Sequence, residues 1–291
     1  MTMNTNRTYG VEFEGYGIPM DTLVSKLRHV GINARLASYS GSDYSVWQVK
    51  PDGSISGRYG FEVVSPVLQG TDGLEQVKKV LSVVRDNGGD ANESCGFHIH
   101  WGVRDWRIKN FRNFYKRWAK FEKGIDLLQP LSRRSDNAYY TKSIYSNVVM
   151  GHVSNSLAQT VQTMFTKIDG CRTVTQLRNL IQGGGRYNKL NLAKYHRTGT
   201  VEIRHHSGSF NEQKVIAWIE LTGSLIADAD NGKAIKGWSG YLDPMNSVDA
   251  KKVLDTLLGA AVRVGGMSSA TRTFYKARAK ELQRKIDARR A

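Results

Sequence analysis

Cysteine and proline are scarce in this chain. Two cysteines, Cys95 and Cys171, and five prolines occur in 291 residues. Two cysteines are too few for a disulfide framework and too few for a thiolate zinc centre. So little proline excludes collagen-like and proline-rich classes, although glycine is frequent at 29. No stretch approaches the roughly 18 uninterrupted apolar residues of a membrane helix. The longest candidate, Leu257 to Val264, is short and carries Arg263. The opening residues MTMNTNRTYG hold no apolar segment of the signal-peptide kind. A reducing, cytoplasmic setting with no membrane partner is the expectation. Acidic residues are also short: 26 Asp+Glu stand against 42 Lys+Arg, a formal charge of +16. That balance suits a polyanionic partner such as nucleic acid, nucleotide phosphates or an acidic surface. Plain colloidal solubility accounts for it equally well.

Hydrophobic residues at 40% and charged residues at 23% describe a folded globular chain. The length suits one large domain or two small ones. No internal repeat is present. Glycine clusters at 183–185 and 265–266 are the plausible breaks, and the second separates residues 1–265 from a basic helical tail, 266–291. Within the tail, 271–291 holds eight Lys/Arg against Glu281 and Asp287, with sparse apolar residues at Phe274, Ala277, Leu282 and Ile286. It reads as a solvated helix that contributes little to the catalytic fold, with polyanion contact as the other use.

Patterning predicts strands over 8–16, 45–50, 60–65 and 95–103, and two more within 186–206 joined by the turn KYHRTG. Helices are predicted over 20–31, 71–86, 106–128, 210–228 and 248–262, with 136–182 mostly helical. The strands pair like hairpins and no repeated βαβ unit is visible. An α+β fold follows, with a curved, mostly antiparallel sheet and helices packed on one face.

Three strands share one polar habit. The first carries Glu12-x-Glu14, a middle one His98-x-His100, and a late one Glu202-x-Arg204-x-His206. Residues i and i+2 of a strand share a face. Val11, Phe13, Phe97, Ile99, Trp101, Val201 and Ile203 therefore fall on the opposite, apolar face. Two carboxylates at i and i+2 repel each other unless a cation sits between them. Glu62 stands among apolar residues in GRYGFEVVSP, and a buried charge is costly unless paired or metal-bound. Oxygen donors in the majority, with a histidine and no sulfur, suit Mg²⁺ or Mn²⁺ better than zinc.

Six segments occur in a fixed order: GVEFEGYG, W-x-V-x-x-DGS (47–54), GFEVVSPVL (60–68), CGFHIHWG (95–102), RYNKLNL (186–192) and TVEIRHHSG (200–208). In that order they resemble the amidoligase family, a branch of the glutamine synthetase-like carboxylate–amine ligase superfamily. The resemblance spans about 9–225; the tail after 265 and the region 130–180 lie outside it. It implies a glutamine synthetase-like catalytic fold that binds ATP and Mg²⁺ or Mn²⁺ and forms an amide from a carboxylate and an amine. By position it implies metal binding by Glu12, Glu14, Glu62, Glu202 and His98. It implies nucleotide contacts from His98, His100 and Arg204, and catalytic roles for Arg204 and Arg186. The attacking amine must lose a proton, and His206 is the candidate base for it. The substrates are expected to be small-molecule or peptide carboxylates and amines, and related synthetases often form oligomers.

Two other classes fit the same residues. A metal-dependent hydrolase would use the same carboxylates without ATP. A basic nucleic-acid-binding protein would owe its function to the charge and the tail. Weaker signals are a Cys95–His98 thiol pair, the glycine triplet before Arg186 as a phosphate cradle, and Tyr139, Tyr140 and Tyr145 near Arg133 and Arg134 as a stacking surface. No P-loop and no GxGxxG after a strand is present.

Overall fold

The computed structural model describes residues 6–40, 43–134, 139–148, 156–183, 185–232, 234–239 and 247–289. In chain order the described elements are β1 (Tyr9–Gly15), α1 (Met20–His29), β2 (Ala34–Leu36), β3 (Trp47–Lys50), β4 (Phe61–Val64), α2 (Gly70–Asp86), β5 (Gly96–Gly102), α3 (Ile108–Asp126), α4 (Leu157–Gly170), α5 (Val174–Gln182), β6 (Leu190–Asn191), α6 (Tyr195–Thr198), β7 (Thr200–Ser207), α7 (Glu212–Asp230), α8 (Ser247–Arg263) and α9 (Ser269–Ala288). A 3₁₀ turn, Leu131–Arg133, follows α3. The fold is α+β, with the strands of the sheet in the order β2-β3-β4-β1-β5-β7.

The chain forms two compact units. Unit 1 is Met1–Gly102 with Glu202–Ile219, and unit 2 is Val103–Val201 with Glu220–Ala291. In unit 1, β1 pairs antiparallel with β4 and β5, and β3 pairs antiparallel with β4. The short edge strand β2, absent from the sequence reading, pairs parallel with β3 and makes the sheet mixed. Strict alternation in YGVEFEG buries Tyr9, Val11 and Phe13, with the ring of Phe13 stacked on Phe97 at 4.8 Å. In α2, Leu74, Val77, Val80, Leu81 and Val84 are buried at the expected helical spacing.

In unit 2, α3 is buried on most of its circumference, by Phe111, Phe114, Tyr115, Trp118 and Ile125 among others. A Cβ on Gly124 would lie 2.6 Å from the Leu254 backbone nitrogen, so glycine is what lets α3 and α8 approach so closely. The segment 186–206 holds less strand than its pattern suggests. β6 is two residues long, and the KYHRTG stretch closes as the single turn α6, ended by Gly199 at φ +71°. Of 136–182, α4 and α5 are helical, residues 139–148 form turns and an isolated bridge, and 136–138 and 149–155 lie outside the described residues.

The basic tail is helix α9, and one side of it is packed. Thr271, Tyr275, Arg278, Leu282 and Ile286 are buried along a stripe that recurs every three to four residues. Arg278 Nε donates to the Leu128 carbonyl at 3.2 Å, and the Ser268 hydroxyl caps the helix by accepting from Thr271 N at 3.1 Å. Residues 290 and 291 lie outside the described residues. The stripe escapes a reading of apolar letters because Arg278 occupies it with its aliphatic stem. Tyr275→Ala should therefore destabilise the protein by about 3 kcal/mol in urea unfolding, the range of large aromatic truncations in a core. A solvated tail would give a change within about 0.5 kcal/mol.

Candidate active site

The site lies wholly in unit 1 and follows from strand register. Glu12 of β1 stands opposite His98 of β5 and opposite Val64 of β4, and Glu14 stands opposite Glu62. β3 extends these rows, with Gln48 opposite Val64 and Lys50 opposite Glu62. Directly opposed residues share a face, with Cβ atoms about 4.5–5.5 Å apart. One row thus reads Gln48, Val64, Glu12, His98, and the next Lys50, Glu62, Glu14. The row between them, Val49, Val63, Phe13 and Phe97, points the other way and is fully buried.

The rows converge on His98, itself 3% exposed. Its Nδ1 lies 3.3 Å from Glu12 Oε2 and 3.9 Å from Glu202 Oε1, and its Nε2 lies 3.7 Å from Glu14 Oε1. His100 Nε2 lies 3.1 Å from Glu12 Oε1. Arg204 Nη1 donates to Glu202 Oε1 at 2.5 Å. Two trios have ligand atoms within 4.8 Å of one another: Glu12, His98 and Glu202, and Glu14, Glu62 and His98. A neutral imidazole offers one lone pair, so His98 can ligate a metal in only one trio at a time.

Charge balance explains the behaviour of the acids. Burial pushes the Glu12 carboxyl up, but His100 and His98 outweigh it with charge and hydrogen bonds and hold it well below the usual range. Burial acts likewise on Glu202, where the charges of Arg204 and the histidines prevail and lower it. Glu62 goes the other way: burial, then the charges of Glu12 and Glu14, drive it well above the usual value, with Lys50 opposing. Among the described residues, the four carboxylates Glu12, Glu14, Glu62 and Glu202 thus share this face with two permanent cations, Lys50 and Arg204.

Glu12, Glu14, Glu62, Glu202, His98, His100 and Arg204 are brought together. His206 is enclosed, its Nδ1 2.6 Å from the Ser207 carbonyl and its ring packed on Phe97 at 5.5 Å and Trp218 at 5.2 Å. It is held among aromatics, which does not suit a base on the acid face. Arg186 belongs to unit 2, exposed, with Nη2 3.2 Å from the Tyr187 hydroxyl. Cys95 is buried with Sγ 3.7 Å from Asn92 Oδ1. Of the glycine triplet, Gly184 lies outside the described residues.

Two contributors escaped the sequence reading. Lys50 closes a four-residue strand beside a turn, and only the register shows it facing Glu62. Gly96 donates its N–H to Glu14 Oε2 at 2.5 Å, and a Cβ there would meet His98 Nε2 at 2.6 Å. Glycine before the HxH pair is therefore a steric requirement for the approach of Glu14 and His98. The adjacent glycine in CGFHIH was the available signal.

A family model described as "Putative amidoligase enzyme" matches residues 5–226. Among solved structures, the chain is similar to a bifunctional glutathione synthetase from Pasteurella multocida, at 11% identity and a TM-score of 0.45 over 95% of this chain and 48% of that one. It is also similar to a novel glutamine synthase homolog, at 11% identity and a TM-score of 0.42 over 95% of this chain and 66% of that one. The chain thus spans about half the length of the first and less than two thirds of the second. No curated protein matches it.

The raised Glu62 carboxyl sets a pH dependence in metal-free protein. A folded-state pKa above the unfolded value means the native state binds the extra proton, so stability falls as pH rises. The fall begins near the ordinary carboxylate range, about 4.3, and continues through the raised folded value. Urea unfolding in chelator should show this negative slope in wild type and a flatter one in Glu62→Gln. Equal slopes in the two proteins would show that the Glu62 carboxyl is not raised in the folded state.

Proposed function

The chain belongs to the amidoligase family, and from that premise we propose that it is an ATP- and divalent-metal-dependent ligase joining a carboxylate to an amine through an acyl phosphate. The observation that carries this reading is the pairing of Glu14 against Glu62 beside His98, with Glu12, Glu202 and Arg204 on the same face. An opposed acid pair, with Glu14 buried and Glu62 half-buried, is unfavourable by itself. It becomes favourable around a cation, and carboxylate oxygens with one imidazole are the donor set of Mg²⁺ or Mn²⁺.

Glu12, Glu14, Glu62 and Glu202 with His98 would hold the metal. A bound divalent ion supplies charge neutralisation at phosphate oxygens. ATP supplies the γ-phosphoryl group that makes a carboxylate oxygen a leaving group, and its transfer needs positioning and electrostatics more than covalent help. Glu202 fixes Arg204 by a charge-assisted hydrogen bond, and the planar guanidinium fork then has further donors for a phosphoryl group. Lys50, buried beside Glu62, supplies a second fixed cation. His100, braced by Glu12, lines the same face and is suited to hold an anionic oxygen. Amine attack on the acyl carbon develops an oxyanion, which the same preorganised cations stabilise. The substrates on this reading are small-molecule or peptide carboxylates and amines, and the setting is cytoplasmic.

The direct test is ATP-to-ADP turnover screened against paired acids and amines. A product mass equal to the two substrates minus one water supports the reading. Hydrolysis of the acid's ester or phosphate without ATP would replace it with a metal-dependent hydrolase. Binding of Mn²⁺ has its own signature: at about 100 times its Kd it should stabilise the protein by about 2.7 kcal/mol. Glu14→Gln should abolish that stabilisation while the protein still folds.

Arg204→Lys separates catalysis from scaffolding. The variant keeps the charge and loses the fork. ATP binding should survive while turnover at saturating ATP and metal falls by roughly 10²-fold or more, as on removal of a preorganised transition-state donor. Full activity in Arg204→Lys would reduce the residue to a partner of Glu202.

A further inference from the structure

A second cluster lies wholly in unit 2 and shares no side chain with the acid face of unit 1. Two loop segments run side by side there. Lys142 and Asn188 form a parallel bridge, Lys142 N donates to the Tyr187 carbonyl at 2.8 Å, and Lys189 N donates to the Lys142 carbonyl at 3.0 Å. One buried carboxylate fastens both segments from below. Glu122 accepts from the Ser143 hydroxyl and, at 3.2 Å, from Ile144 N, and it lies 3.3 Å from Lys189 Nζ. Asp126 takes the same ammonium group. Glu122 and Lys189 are both fully buried.

On this base stand three tyrosines. Tyr139 and Tyr140 are 66% and 45% exposed. Their ring centroids lie 4.9 Å apart, and the Tyr187 ring lies 5.9 Å from Tyr139 and 5.4 Å from Tyr140. Two cations flank them: the Arg186 guanidinium sits 5.2 Å from the Tyr187 ring centre and Lys142 Nζ 5.9 Å from that of Tyr139. The described parts of both segments, 139–148 and 185–192, contain no Asp or Glu. Exposed aromatic faces with flanking cations, rigidly backed and free of acids, form a surface for stackable rings that carry negative charge.

We propose that this platform binds single-stranded nucleic acid. Bases stack on Tyr139 and Tyr140, both exposed to solvent, and the adjoining phosphates lie against Arg186 and Lys142. Base stacking on aromatic side chains combined with a cationic backbone track is the general physics of sequence-tolerant single-strand binding. The net charge of +16 favours a polyphosphate over a single nucleotide. The basic tail is not needed for this, and neither is the acid face of unit 1.

The test is fluorescence anisotropy of a labelled oligothymidylate with the full chain, competed by unlabelled heparin or by ATP. Tyr139→Ala/Tyr140→Ala should raise the Kd for the oligonucleotide by about 10-fold or more, because it removes both exposed rings on which bases stack. Tyr140→Phe keeps the face and should bind within about twofold of wild type. Arg186→Gln should weaken binding and lower the slope of log affinity against log salt by about one. Heparin carries charge without bases, so its own affinity should change little in the tyrosine variant. No oligonucleotide binding by wild type, an unchanged Kd in the double variant, or an equal loss for heparin would each overturn the proposal. ATP that binds the platform as tightly as the oligonucleotide would overturn the choice of a nucleic acid and point to free nucleotide. Because both tyrosines are exposed, melting temperatures of the variants should match wild type, and that check keeps unfolding from mimicking a lost site.

Discussion

The interaction on which unit 1 depends is the lateral opposition of Glu14 and Glu62 on neighbouring strands. Like charges placed directly across a ladder oppose pairing, and burial adds a desolvation penalty to each. The sheet tolerates this because its other face is tightly packed. Val49, Val63, Phe13 and Phe97 sit one row away, fully enclosed, and hold the strands in register whatever the acids prefer. A slip by one residue would reverse both faces together, exposing four large apolar groups and burying the carboxylates in the core. The apolar face therefore fixes the geometry of the acid face. The strain is retained where a divalent cation would relieve it.

His98 makes the two trios one site. Its ring nitrogens address Glu12 and Glu202 on one side and Glu14 on the other. The same imidazole belongs to both trios. Gly96 is part of the same arrangement, since a side chain there would collide with the ring. Arg204 and Lys50 then stand at the two ends of the acid rows. Arg204 is held by Glu202, and Lys50 stands directly opposite Glu62 in the ladder, so both cations have their places on this face before any substrate arrives.

Much of this was legible in the sequence, for a simple reason. A strand has period two, so ExE, HxH and ExR place their groups on one face without knowledge of the fold. Register is different: it joins residues far apart in sequence, and nothing in WQVK announces that Lys50 will face Glu62. His206 shows the limit of phase alone. It falls two residues after Arg204, yet aromatic neighbours from β5 and α7 enclose it. The strand β2, three residues with two of them exposed, carries too short a pattern to read. The division into units is equally silent, because the chain leaves unit 1 after Gly102 and returns at Glu202. Long-range contact, and no local composition shift, defines that boundary.

The two units handle buried charge in opposite ways, and the contrast separates scaffold from site. In unit 2, Glu122 is supplied with donors from Ser143, Ile144, Trp118 and Lys189, and Asp126 shares the lysine. Such a network is satisfied from within the chain, so its effect is to fix the segments that meet there. In unit 1, four carboxylates share a face with Lys50 and Arg204 among the described residues, and burial, then the charges of Glu12 and Glu14, raise the Glu62 carboxyl. A buried network that the chain itself completes serves as structure. In unit 1 the proposed metal would complete the network, on the face where Glu14 stands opposite Glu62.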